Sequence, residues 1–101
     1  MKYIMTTRQK QYLKGLAHKL NPGIQVGKDA LSPSVLEAIN KNLKDNELIK
    51  VQFLGSSGLD RKKDAETLAR KVDADLVHVL GFKIILYRPN PDKKKPISLP
   101  S

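Results

Sequence analysis

Cysteine and tryptophan are absent from the 101 residues. Without cysteine there are no disulfides and no thiolate metal sites, and His18 and His78 are too few imidazoles for a histidine metal cluster. Such a chain suits a reducing compartment. Long hydrophobic runs are missing as well. Nothing approaches the roughly 18 apolar residues of a membrane span, and Met1 to Met5 lacks the apolar stretch of a secretory signal, so a soluble cytoplasmic protein is expected. Aromatics are scarce, with three tyrosines and two phenylalanines. Phe53 and Phe82 read as buried, which argues against base stacking on an aromatic platform as the main mode of recognition.

Acidic side chains are also in short supply. Ten Asp and Glu face 19 Lys and Arg, leaving +9, a footprint typical of nucleic-acid binders. The excess lies at the two ends. Residues 1–30 and 61–101 each carry net +5, while residues 31–60 carry net −1.

The stretch Ile24-Gln25-Val26-Gly27-Lys28-Asp29-Ala30-Leu31-Ser32-Pro33 reads as a short buried strand, a glycine turn and a capped helix start. Gly27 suits a tight turn needing positive φ, and Ser32-Pro33 suits an N-cap and first helical residue. Lys28 and the free N–H groups of the new helix make this junction a place where a phosphate can sit.

In chain order, Thr6 or Thr7 caps a helix to about Leu20, with Leu13, Leu16, Ala17 and Leu20 as its buried stripe. Lys10, Lys14 and His18 form a second row on it, read either as a solvated face or as a bed for a polyanion. A second helix spans Ser32 to about Lys44. Glu47 to Leu54 is a strand with Ile49, Val51 and Phe53 on one face and an exposed Lys50 on the other. Gly55-Ser56-Ser57-Gly58 is a turn, and Asp60 caps a third helix that opens with Arg61, Lys62 and Lys63, the wrong sign for its dipole. Asp75 to Leu80 and Phe82 to Tyr87 form a hairpin about Gly81. Residues 1–89 thus make one domain, and residues 90–101 a Pro- and Lys-rich tail expected to be mobile, though Ile97 and Leu99 can dock back.

The order α-β-α-β-α-β-β predicts a single two-layer α/β domain, with a mixed four-stranded sheet on which helices pack. Its two strand-helix-strand crossovers should be parallel and right-handed and its last hairpin antiparallel. No acid-base pair, activated nucleophile or metal set stands at a motif spacing, so a non-enzyme without cofactor or small-molecule substrate is expected.

Several segments, in this order, resemble the bacterial YhbY proteins, the stand-alone form of the CRM (chloroplast RNA splicing and ribosome maturation) domain. They are Lys10-Gln11-Tyr12-Leu13-Lys14-Gly15-Leu16-Ala17-His18, Pro22, Ile24 to Lys28, Glu47 to Val51, Gly81, Ile85 to Pro89, and Ile97 to Pro100. The resemblance implies a fold similar to the C-terminal domain of translation initiation factor three. It also implies RNA binding without catalysis, on precursors of the large ribosomal subunit. The family's Gly-x-x-Gly loop falls on Gly27, Lys28, Asp29 and Ala30, with alanine in place of the second glycine.

From charge and resemblance together, Lys10, Lys14, His18 and Lys19 on the first helix and Lys28 at the loop are expected to meet ribosomal RNA phosphates. Lys50, Arg88 and the tail lysines Lys93, Lys94 and Lys95 would widen the contact. A monomer is expected, with no membrane partner. The alternative is a general duplex-DNA binder.

Overall fold

The computed structural model describes residues 5–90, 92 and 97–100. Thr6 opens helix α1 (Thr7–Ala17) with a capping box: its hydroxyl accepts from Gln9 N–H while the Gln9 side chain accepts from Thr6 N–H. Strand β1 (Ile24–Val26) follows, then α2 (Pro33–Asn46), whose first residue is the proline predicted there and whose Ser32 cap accepts from Val35 N–H. Strand β2 (Leu48–Phe53), a 3-10 turn (Gly55–Ser57), α3 (Lys63–Lys71), β3 (Asp75–Leu80) and β4 (Lys83–Tyr87) complete the order.

The strands line up as β1-β2-β4-β3. β1 pairs parallel with β2, and β4 lies antiparallel between β2 and β3, so β2 and β3 also run parallel. The expected mixed sheet is therefore what forms.

Strand alternation assigns the core. Ile49, Val51 and Phe53 of β2, with Ile84 and Leu86 of β4, face α2 and α3 through Ile39, Leu43, Ala65, Leu68 and Ala69. Leu48, Ile85 and Tyr87 point the other way, onto Leu13 and Ala17 of α1. The sheet is thus the middle of three layers, a finer division than the two expected. Fully burying an aliphatic side chain contributes about 1.5–3 kcal/mol, so the near-continuous apolar strands are what a sheet covered on both faces requires.

One reading changes and two are made more specific. α1 ends at Ala17, and Leu16 and Leu20 are partly exposed beside a groove of about 430 Å³ instead of filling a buried stripe. In β3, Val77 is an extra residue, so that the register passes from Leu76 opposite Leu86 to His78 opposite Ile85. The tail is docked where it is described: Ile97 and Leu99 pack on the α1 cluster, and Gln9 donates to Pro100 O at 2.9 Å. Lys93, Lys94 and Lys95 lie outside the described residues.

Candidate nucleic-acid interface

Parallel strands β1 and β2 deliver two loops and two helix N-termini to one end of the sheet, and the β3–β4 hairpin turns at that end too. The first loop begins at Gly27. Its carbonyl accepts from Ala30 N–H at 2.9 Å, closing a tight turn over exposed Lys28 and Asp29, and Asp29 O then accepts from Ser32 N–H at 3.1 Å to lead into α2. Positive φ was expected at Gly27. It falls instead on Ala30, at 48°. A left-handed alanine costs roughly 1–2 kcal/mol, so the place where the family pattern has its second glycine is the one where this backbone most favours it.

The second loop lies against the first. Leu54 N–H donates to Val26 O at 2.9 Å, and a Cβ added at Gly27 would stand 3.5 Å from Ser56 Oγ, an ordinary contact. Gly58 N–H donates to Gly55 O at 3.3 Å, with Gly58 left-handed at φ 69°. Here the expected turn is confirmed, but the start of the third helix is not. α3 begins at Lys63, so its first turn carries Asp64 and Glu66, which suit the dipole. Asp60 still helps: its carboxylate accepts from Lys62 N–H, and its own N–H donates to Asp64 Oδ2.

At the third loop, Gly81 (φ 61°) turns the hairpin and Phe82 is 53% exposed. The reading of Phe82 as buried is thereby corrected. Its carbonyl accepts from Phe53 N–H at 2.8 Å, and the Arg61 guanidinium sits over its ring, 5.8 Å from the centroid.

The other end of the sheet holds two of the predicted contact residues, in different roles. Lys50 is only 9% exposed, because α1 and the segment after it cover that face; its Nζ donates to Leu20 O at 2.8 Å. Arg88 donates to Val72 O and to both the backbone and the side-chain oxygen of Asn40, tying the last strand to the end of α3 and to α2. Both cations serve carbonyls of their own chain, and neither is a free phosphate contact. Beside them stands Glu47, which sequence reasoning passed over as a strand residue. Fully buried and at φ 62°, it accepts from Asn90 N–H and Ile97 N–H, each at 2.9 Å, and so holds the tail.

Lys10, Lys14, His18 and Lys19 are exposed on α1 and just after it. They belong to the layer opposite α2, while Gly27–Ala30 lies at the sheet end. Lys14 is close enough to the partly buried His78 that its charge, after desolvation by burial, lowers that imidazole below its ordinary 6.5.

Fold and site together define a small α/β domain whose strand end sets exposed cations beside helix N-termini, an arrangement that can receive a polyanion. A model of the CRS1 / YhbY (CRM) domain matches residues 5–88, and the chain belongs to that family. It is similar to a Haemophilus influenzae protein named an RNA-binding protein, 38% identical over 96 residues and 95% of each chain. YqeI of Bacillus subtilis is 35% identical over 96% of this chain and all of its own. SAV1595 from Staphylococcus aureus, solved in solution, superposes with a TM-score of 0.76 at 35% identity, over 96% of this chain and all of that one.

Proposed function

We propose that this chain is a cytoplasmic RNA-binding protein, and that its target is structured ribosomal RNA in precursors of the large subunit. The observation that carries the reading is the loop Gly27–Ala30, which presents exposed Lys28 beside the N-terminus of α2. Relatives named for RNA binding support it, and the ribosomal target follows from the family resemblance. In this mechanism backbone N–H groups at the loop and the start of α2 hold one phosphate, while Lys28, Lys10, Lys14 and Lys19 neutralise others. No bond of the RNA is made or broken.

The test is the distribution of the protein through a sucrose gradient of cell lysate at low and raised salt. Sedimentation with large-subunit precursors, lost as salt rises, is the expected result. A Lys10→Glu, Lys14→Glu double variant should remain folded and leave those fractions. Migration with nucleoid DNA, or at the top of the gradient at low salt, would overturn the proposal.

A further inference from the structure

Phosphate contacts on the loop and on α1 leave the hairpin tip unexplained. Leu80 is 57% and Phe82 53% exposed, side by side around Gly81. Single exposed apolar residues are common and mean little. Three further features distinguish this pair.

The first is anchorage. β4 begins at Lys83, and the Phe82 carbonyl is already fixed by Phe53 N–H, so the ring stands on a rigid mount. The second is Arg61, whose guanidinium covers one ring face while more than half of the side chain still meets solvent. That leaves the ring oriented and one face open. The third is the setting. Arg61 lies on the ring, its chain neighbours Lys62 and Lys63 and the ring's neighbour Lys83 are exposed, and the sheet register carries the tip to the phosphate loop: Phe82 is bonded to Phe53, and Phe53 is paired with Val26, the residue before Gly27. Two strand spacings amount to about 10 Å, which a single RNA strand bridges within a few nucleotides.

From this we infer that Phe82, backed by Arg61, is a stacking platform for one unpaired nucleobase of the RNA held at the Gly27–Ala30 loop. A base has an apolar π-face to lay on the open side of the ring, and its flanking phosphates meet the exposed cations of this end of the sheet. A ring that carries a guanidinium on one face and is followed in the chain by exposed Lys83 is matched in charge and shape by an anionic polymer with planar bases better than by an apolar protein partner. The platform rests on the RNA-binding reading and adds to it a preference for unpaired over duplex RNA.

The experiment compares a stem-loop RNA carrying unpaired adenosines with the same stem closed by an abasic loop, measured by fluorescence anisotropy against the full chain. Phe82→Ala should bind the adenosine loop about tenfold more weakly and the abasic loop unchanged, with the same salt slope. Since the chain has no tryptophan, Phe82→Trp installs a sole reporter; its affinity should be retained and its emission quenched by the adenosine loop only. Equal binding of the adenosine loop by Phe82→Ala, or unquenched Phe82→Trp in a saturated complex, overturns the platform alone and leaves the tip as an apolar surface for a protein. Failure of the unaltered chain to bind either RNA overturns the platform and the RNA reading together.

Discussion

The two ends of the sheet use positive charge in opposite ways. At one end α2 and α3 finish, and the cations nearest it serve carbonyls of the same chain: Arg88 on Val72 O at the end of α3 and on Asn40 O within α2, and Lys50 on Leu20 O after α1. At the other end the same two helices begin, and the cations there, Lys28, Arg61, Lys62, Lys63 and Lys83, are exposed. Helix N-termini and cations carry charge of like sign; at α3 Asp60, Asp64 and Glu66 answer it, whereas the first turn of α2 has no acid of its own, so there an external anion has most to relieve. A positive side chain in this sequence therefore has no fixed meaning. Whether the fold brings a carbonyl of its own chain to it decides whether it holds the fold or faces a ligand.

The largest expected effect is at the carbonyl end. Glu47→Ala strands two backbone N–H groups, of Asn90 and Ile97, and should lower unfolding free energy by about 3 kcal/mol in urea titration. RNA affinity of the folded fraction should not change; an equal loss of affinity would break the division between the ends. Next, Lys50→Met keeps the buried stem and removes the charge-assisted bond to Leu20 O, at a cost of about 1.5–2 kcal/mol. The slope of RNA affinity against salt should stay put. A fall of about one in that slope would return Lys50 to the interface.

A smaller effect sharpens the contrast within the loop end itself. Gly27–Ala30 and Gly55–Gly58 share one design, a carbonyl bonded to the N–H three residues on and a left-handed fourth residue, but only the second has glycine there. Gly58→Ala should destabilise by about 1 kcal/mol, and Ala30→Gly should stabilise by somewhat less, about 0.5 kcal/mol, because glycine also frees the unfolded chain. Thermal unfolding of both variants checks the pair of signs.

The smallest effect belongs to neither end. His78, held below 6.5 by burial and then by Lys14, takes up its proton in the unfolded chain before it does so in the folded one. The unfolded state thus binds more protons just below that pH, and stability should fall as pH drops through this window and level off once the folded imidazole is also charged. Proton NMR of the His78 ring should show its titration moving up in Lys14→Met. An unmoved titration would take Lys14 out of that environment.

Much of this fold was legible because each element announced itself locally. Ser32-Pro33 marked a helix start, Gly81 a hairpin, and the apolar runs of β3 and β4 a sheet covered on both sides. What failed was long-range. Strict alternation in β2 made Lys50 look exposed, and only the docking of α1 on that face buries it. Glu47 gave no sign at all, since neither its left-handed backbone nor the return of Ile97, 50 residues later, leaves a mark on the local pattern. Phe82 was readable in principle. Two-residue hairpin loops that open with glycine are favoured, so Gly81 and Phe82 together, and not Gly81 alone, make the turn and put the ring outside.

The bond from Gln9 to Pro100 O brings the beginning of the described chain against its end. A unit whose entry and exit lie together can be inserted into a longer polypeptide like a bead on a loop, without any strand of the sheet being pulled out of register.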